Sequence, residues 1–400
     1  MRTPPAKRNT SPGLQPYVKT PRQREVLAMA EAAAEIAEQH AARHDRENTF
    51  PTEAFDKLRE TGYLALTVPR EFGGGGVDPL ELCLAQERLS QADGSVGLAS
   101  TMHLCHVARL ATTRSWPAPL FARLCREIVQ DGALINSAAS EPDLGSPSRG
   151  GLPSTTAVRC REGWRLNGHK RWASLAPVLR YATVLAAMSD GSERPRRANF
   201  LVPMDHPGVR IDATWDNLGM RATGSHDLVL TDVVVDDEAL LPTDESPGVG
   251  DPRGWTLVTA AVYTGIAMAA RDFAVEYARG RRPSGQSGTS VAEYPAIQQR
   301  VAQIDMLILQ SRAITYGTAE TWVERPELRE EIAWQIAAAK YLATNNAIHV
   351  TDLAMRVVGS AGSSRGMALE RHFRDVRAGL GNPPMDDIAL SSIGQHALGL

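Results

Sequence analysis

The chain is poor in cysteine and in aromatic residues. Its 400 residues include four cysteines and only 6% Phe, Trp and Tyr. Cys83, Cys105, Cys125 and Cys160 form no C-x-x-C pair, so the paired spacing typical of structural zinc sites is missing. The sequence therefore predicts reduced thiols in a cytoplasmic protein, with neither a disulfide framework nor a metal centre.

The chain also lacks a strong excess of charge and any long apolar run. Its formal net charge is −3, which argues against nucleic acid or an anionic membrane as the main partner. No apolar stretch approaches the roughly 20 residues of a membrane-spanning helix. Residues 1–20 are rich in Pro, Lys and Arg and have no apolar segment like that of a secretory signal. We therefore expect a disordered tail there.

The hydrophobic period changes twice along the chain. From residue 21 to 135, apolar residues recur every three to four positions, which predicts a helical N-terminal domain. Between 136 and 240 they alternate in short segments, which predicts a small antiparallel β-barrel or sandwich. A Pro- and Gly-rich linker, 241–254, then leads to Ala-rich helical segments in 255–400, typical of a four-helix bundle. The expected fold class is therefore α+β, mainly α.

Several short motifs follow one another in a specific order. They are Ser140-Glu141-Pro142 followed by Gly145-Ser146, the run 167–174 (Asn-Gly-His-Lys-Arg-Trp-Ala-Ser), the run 218–225 (Leu-Gly-Met-Arg-Ala-Thr-Gly-Ser), and Arg374-Asp375. In this order, and between helical segments, they resemble the acyl-CoA dehydrogenase family over nearly the whole chain. A branch of flavin monooxygenases shares that family's fold.

The resemblance implies a flavin site. It implies that Ser140 bonds the pyrimidine edge of the flavin ring, with Gly145 in the same cofactor-binding turn. Trp172 would pack at the ring, and Ser174 would reach towards N5. Ser146 would line the substrate entrance. Taken singly, the serines are also typical of turns, and Trp172 of an aromatic residue in the core.

Two further positions are assigned by the resemblance to the adenosine half of FAD. Arg281 would bind the pyrophosphate from a neighbouring subunit, which implies a homotetramer or homodimer. A solvated basic turn is the equally weighted alternative for Arg281. Gly359 lies where the family has a Gln-x-x-Gly-Gly motif, here Arg-Val-Val-Gly-Ser. The flavin-ring half of the site is therefore better preserved than the adenosine half, so FMN is the alternative to FAD.

The family's catalytic glutamate has no obvious counterpart. Removing the α-proton of an acyl thioester requires a base. Counting from Arg374-Asp375 places Pro383 near the position of that glutamate. Asp386 and Asp387 are the nearest substitutes, although either could instead cap the last helix.

The first hypothesis is therefore an enzyme that oxidises an acyl-CoA, or a carrier-bound acyl thioester, with hydride transfer to flavin N5. An electron-transfer partner would then reoxidise the flavin. The second hypothesis is a two-component FMN monooxygenase, fed by a flavin reductase, that acts on a small aromatic molecule. The third is a catalytically silent flavin-binding homologue. His103, His106 and His349 lie in helical segments, where we interpret them as core or pocket-lining residues rather than metal ligands.

Overall fold

The protein is built from helices, then strands, then helices, which confirms the predicted mainly helical α+β class. The computed structural model describes residues 13–142, 151–191, 194–242, 250–284 and 288–400. The helices are α1 (Pro21–Glu47), α2 (Thr52–Glu60), α3 (Pro79–Ala92), α4 (Gly94–Thr113), α5 (Ala118–Asp131), α6 (Leu257–Gly280), α7 (Pro295–Glu324), α8 (Arg329–Val358), α9 (Ala368–Asp375) and α10 (Asp386–Leu398). The strands are β1 (Ile135–Ala138), β2 (Thr156–Cys160), β3 (Gly163–Ala173), β4 (Tyr181–Ser189), β5 (Arg196–Pro203), β6 (Val209–Asp212), β7 (His226–Val235) and β8 (Leu240–Leu241).

The first long helix begins at a complete capping box. The Thr20 hydroxyl accepts the backbone N–H of Gln23, whose side chain in turn accepts the N–H of Thr20, so two backbone donors of the first turn are satisfied. Part of the expected disordered tail is ordered. A 3-10 turn spans Gln15–Tyr17, and the Tyr17 ring lies 4.7 Å from the ring of Tyr316 on α7. An apolar contact therefore holds residues just before α1, while residues 1–12 lie outside the described part of the chain.

The strands form one mixed sheet between the helical segments. Its order is β6-β7-β3-β2-β4-β5-β8, with β1 pairing only to β4. The pairs are antiparallel except that β4 runs parallel to β1 and to β2. One face of the sheet buries the domain's own core, which includes Leu166, Val184, Phe200, Leu228 and Val233. The other face of β1, β4 and β5 packs against α4 and α5. This second face is the one that positions the site described below.

The helices before and after the sheet form one continuous body. Helix α6 is buried along most of its length and packs between α3 and α8. A salt bridge between buried Arg312 on α7 and Glu87 on α3 crosses the same junction, and the Tyr316 hydroxyl donates to Glu87 over 2.6 Å. Among the described helices none is both long and apolar enough to cross a membrane.

The Arg374-Asp375 pair joins three parts of the chain at the end of α9. Arg374 donates to the Asp45 carboxylate at the end of α1 over 2.6 Å and to the carbonyl of Leu218 over 2.9 Å. Asp375 accepts the backbone N–H of Met220 over 2.7 Å. The two residues therefore fix the 218–220 turn of the β domain against both helical segments.

The Asp375 carboxyl is almost completely buried, and its Oδ2 has no hydrogen-bond partner among the described residues. Burial raises the pKa of Asp375 to about 7, against the lowering effect of Arg371. A carboxyl that is half protonated near neutral pH fits an oxygen without a partner.

Helices α3 and α6 approach each other closely at Gly265. A Cβ at this position would lie 2.3 Å from the main-chain oxygen of Glu87, which cannot move independently of its helix. We expect Gly265→Ala to lower the free energy of unfolding by about 2 kcal/mol or more, measured by urea unfolding. Gly317 is the matched control, since an added Cβ on this exposed position of α7 meets nothing within 4 Å. Gly317→Ala should leave stability unchanged or raise it. Equal effects of the two substitutions would contradict the close approach.

Asp375 should also shape the pH dependence of stability. Because its pKa rises from the usual 3.8 to about 7 on folding, the folded protein binds a proton that the unfolded chain releases over this range. The free energy of unfolding therefore falls as the pH rises from about 4 to 7. Asp375→Asn can still accept from Met220 but cannot ionise. We expect it to reduce the decline between pH 5 and 8 by about 2 kcal/mol. The exposed control Asp56→Asn should leave the profile unchanged, and an unchanged profile in Asp375→Asn would refute the assignment.

Candidate active site

The two motifs at the ends of the 140–174 stretch meet in space. The backbone N–H of Arg171 donates to the carbonyl of Ser140 over 2.9 Å. Next to this bond, the Lys170 ammonium donates to the Glu141 carboxylate over 2.6 Å, and both side chains are almost completely buried. One main-chain bond and one ion pair therefore hold the Ser140 turn against the end of β3.

Glu141 also organises the segment that leads into β2. Its carboxylate accepts the backbone N–H groups of Ser154 over 2.6 Å and Thr155 over 2.9 Å. Burial alone would raise the pKa of Glu141, but the hydrogen bonds from Lys170 and Thr155 lower it to about 2. The carboxylate therefore stays ionised and keeps its structural contacts across the neutral range.

Trp172 and Ser174 lie where β3 leaves the regular sheet. The register of β3 against β7 shifts between Lys170 and Ala173, and Trp172 adopts a left-handed φ of 58°. This conformation is uncommon for a bulky residue, and here it leaves the indole 55% exposed. The Arg171 guanidinium lies over the ring, 5.1 Å from its centre. A large aromatic side chain therefore stands uncovered beside the Ser140 turn.

A group of small hydroxyls accompanies the indole. The Ser174 hydroxyl lies 2.8 Å from that of Ser225, which in turn lies 2.7 Å from that of Thr223. The carbonyl of Ser174 accepts the side-chain amide of Asn136 on β1 over 3.1 Å. An uncovered aromatic ring and adjacent hydroxyl groups fit a flat heteroaromatic cofactor such as flavin. The sequence indicated Ser140, Trp172 and Ser174, and the structure brings the segments that carry them together.

The other sequence-predicted cofactor positions, and the predicted substrate residue, lie apart from this motif or outside the described residues. Gly145 and Ser146 belong to the segment that is not described. Arg281 follows α6 and is exposed, and its guanidinium forms no hydrogen bond or ion pair within the described chain. Gly359 ends α8 with a φ of 73°, and an added Cβ there would meet nothing within 4 Å. The cofactor roles of Gly145, Arg281 and Gly359 and the substrate role of Ser146 stay predictions.

The two candidate bases begin the last helix. Asp386 accepts the side-chain amide of Asn345 over 3.0 Å and lies 3.9 Å from the buried Lys340 ammonium. Neither Asp386 nor Asp387 caps the helix, because the N-cap residue is Met385. The expected cap is therefore wrong. Both carboxylates lie instead in the first turn, where the positive end of the helix dipole stabilises their negative charge.

A cavity of about 600 Å³ opens between the sheet and α4. Its wall includes Asn136 and Ser137 of β1, and His106 and Arg109 of α4. Pro383 lines it as well, whereas neither Asp386 nor Asp387 does. Asn136 links this cavity to the flavin-type motif through its bond to Ser174. The sequence interpretation missed Asn136 and Arg109 and gave Ser137 no role, because an isolated polar residue in a strand or helix carries no motif.

The histidines have different surroundings. His103 is buried, its Nε2 lies 3.0 Å from the carbonyl of Leu64, and its Nδ1 accepts the backbone N–H of Ile135 over 3.1 Å. It therefore joins helix to strand. His106 lines the cavity, while His349, which was expected in the core or a pocket, is exposed. Nowhere in the described ranges do three His, Cys, Asp or Glu side chains come together as metal ligands.

Breaking the Lys170–Glu141 pair should be costly. Lys170→Met leaves a buried carboxylate without its counter-ion, so we expect a loss of about 3 kcal/mol in urea unfolding, together with reduced flavin retention. Adding Glu141→Gln should restore part of this loss, because the uncompensated charge disappears. The exposed pair of Lys57 and Glu60 serves as the control, and Lys57→Met should cost less than about 0.5 kcal/mol. A Lys170→Met protein as stable as the parent would show that the pair is not needed.

Comparison with known proteins identifies the architecture. The acyl-CoA dehydrogenase N-terminal, middle and C-terminal domain models match residues 20–114, 136–233 and 256–380. YdbM of Bacillus subtilis, provisionally named an acyl-CoA dehydrogenase, is 39% identical over 95% of this chain and 98% of its own. The amino sugar nitrososynthase DnmZ of Streptomyces peucetius is 31% identical over 90% of this chain and 89% of its own.

Solved structures extend the likeness to flavin-bound proteins. KijD3 in complex with FMN and a dTDP-linked amino sugar has a TM-score of 0.81 and 29% identity, covering 95% of this chain and 94% of its own. FMN-bound TdsC from Paenibacillus sp. A11-2 has a TM-score of 0.83 and 26% identity, covering 94% and 97%. The motifs that meet at the end of β3, the helix–sheet–helix order and these matches together show that the chain belongs to the acyl-CoA dehydrogenase family, whose members bind flavin.

Proposed function

We propose that this chain is a flavin-dependent monooxygenase of the acyl-CoA dehydrogenase family. The observation that carries the proposal is the cavity beside the flavin-type motif, because no carboxylate is found among its described lining residues. Pro383, which spacing puts near the family's glutamate, lines that cavity. A dehydrogenase needs a base at the α-carbon of its substrate, whereas a monooxygenase does not.

The other titratable groups of the cavity are poor substitutes for that base. Burial lowers the pKa of His106 to about 3, and His103 and Arg109 lower it further in the same direction. Burial raises the pKa of the Cys105 thiol to about 12. At neutral pH the imidazole is a weakly basic neutral ring and the thiol keeps its proton. Neither group is tuned to remove a proton from carbon.

Ser140, Trp172 and Ser174 would hold the flavin ring. Reduced flavin supplies two electrons, with which O₂ is divided between the substrate and water. The chain's own part is to cover one ring face with the Trp172 indole, to offer hydroxyl donors from Ser174 and Ser225, and to keep the substrate in the adjoining cavity.

We further propose FMN rather than FAD as the flavin. The adenosine-end motif departs from the family pattern at Arg356 and Ser360. The FMN complexes of KijD3 and TdsC support the same choice. A flavin reductase would then be the partner that supplies reduced FMN. The homotetramer or homodimer implied by Arg281 is retained as part of the proposal.

Acyl-CoA dehydrogenation with FAD is the second candidate, and two observations favour it. The named relatives include YdbM and the short-chain specific acyl-CoA dehydrogenase of Bos taurus, the latter 30% identical over 84% of this chain and 80% of its own. The guanidinium of Arg281 is exposed and has no partner among the described residues, so it is also available to a pyrophosphate. In this case Asp386 would have to leave Asn345 and turn towards the substrate.

Two assays on the purified protein separate the candidates. We expect no bleaching of the flavin band when butyryl-, hexanoyl- or 3-phenylpropanoyl-CoA is added without oxygen. We expect reduced FMN to bind the protein in the absence of oxygen. The bound reduced flavin should then consume O₂ at a rate different from that of free reduced FMN, which forms hydrogen peroxide without the protein. Asp386→Asn should change this oxygen consumption less than twofold, because the Asp386 carboxylate is held by α8. Anaerobic bleaching that disappears in Asp386→Asn would overturn the proposal and establish the dehydrogenase.

A further inference from the structure

The cavity between the sheet and α4 carries polar groups that the protein itself does not satisfy. Ser137, Thr183 and Asn199 project from β1, β4 and β5 into its wall. Ser137 and Thr183 are direct partners in the β1–β4 ladder, and Asn199 lies opposite Leu185 on the neighbouring pair, so all three belong to the same face of the sheet. None of the three side chains makes a hydrogen bond within the described chain.

The row borders an apolar core on the same sheet face. Leu201 and Leu241 flank these residues and pack with Ile135 against α4 and α5. If positions 137, 183 and 199 contacted only this apolar core, Val or Leu would pack there more favourably than Ser, Thr and Asn. Polar side chains without protein partners lose hydrogen bonds unless a ligand or water supplies them. Three such side chains in one row indicate that a hydrogen-bonding molecule lies against this face.

Helix α4 contributes a positive charge to the opposite wall. Arg109 and His106 lie on the cavity side of the helix, three residues apart. The Arg109 side chain is exposed, and it forms no ion pair or hydrogen bond with any described residue. Because the described cavity wall contains no carboxylate, nothing there neutralises this guanidinium. A guanidinium presents a planar fork of N–H donors that matches a carboxylate or phosphate group.

We propose that the substrate is a small polar molecule that carries an oxyanion, a carboxylate or a phosphate, bound by Arg109. This inference rests on the proposed function and names the substrate class of the same site. The remaining polar groups of the substrate bond Ser137, Thr183 and Asn199 along the sheet, and the neutral His106 ring adds one further polar contact. The oxidisable end lies towards Asn136, whose amide contacts the Ser174 carbonyl beside the flavin-type motif.

The same arrangement disfavours an unbranched acyl chain in this cavity. A hydrocarbon tail placed along the sheet would cover Thr183 and Asn199 without replacing the hydrogen bonds they lose. It would also bring apolar surface against the Arg109 guanidinium. A site built to hydrogen-bond its ligand rejects an analogue that lacks the polar groups, because the buried polar groups are then left without partners. The cavity therefore selects for oxygen- or nitrogen-rich molecules.

Binding measurements test the anion site without requiring turnover. We would titrate the flavin-loaded protein by calorimetry with benzoate, phenyl phosphate and inorganic phosphate, and with the neutral partners benzamide and phenol. At least one oxyanion should bind tenfold or more tightly than its neutral partner. Arg109→Gln should remove that preference, and Arg109→Lys should retain part of it. The control Arg161→Gln, in the exposed β2–β3 turn, should bind as the parent does.

The outcomes separate the possibilities. A preference for benzoate assigns a carboxylate, and a preference for either phosphate probe assigns a phosphate. If no oxyanion binds more tightly to the parent than to Arg109→Gln, the inference is overturned. To examine the sheet side, Asn199→Leu should weaken the same oxyanion probe threefold or more without changing flavin content. Anaerobic bleaching by acyl-CoA would refute the proposed function independently, whatever the result of these titrations.

Discussion

The buried pair of Lys170 and Glu141 is the interaction on which the site depends. It joins the turn after β1 to the end of β3, two segments separated by 29 residues. A charge pair removed from water is a poor source of net stability, but it tolerates little change in geometry, because either charge alone would be costly. We infer that the pair serves here to fix the relative position of the two segments. The Ser140 turn and Trp172 are held next to each other by groups that cannot easily move apart.

Much of the architecture was predictable from the hydrophobic period, because helices and strands bury different faces. The change from a period of three to four residues to one of two, near residue 136, marks the start of the sheet domain within one residue of β1. Parallel pairing of β4 with β1 and β2 was not predictable. Alternation along a strand reports which face is buried and carries no information about the direction of its neighbours.

The candidate site was only partly accessible from the sequence. Ser140, Trp172 and Ser174 stand in motifs with fixed spacing, so resemblance could indicate them. Ser137, Thr183, Asn199 and Arg109 come from four different elements, and only the fold brings them to one cavity. Asp386 lies close in sequence to the position of the family's glutamate. In the structure, however, its carboxylate faces Asn345 and Lys340 on α8 and not the cavity. Spacing along the chain cannot tell which side of a turn an aspartate will face.

Helices α3 and α6 cross closely in space although they lie far apart along the chain. Because α6 presses its glycine against the backbone of α3, residues from both ends of the chain build a single helical layer, and the strands are an excursion from it. The helices of the N-terminal hundred residues consequently share their core with α6. Leu84 and Leu89 of α3, for example, belong to the same buried cluster as Val258 of α6. A nascent chain emerging from the ribosome would have to keep that apolar surface shielded until α6 arrives, some 165 residues later.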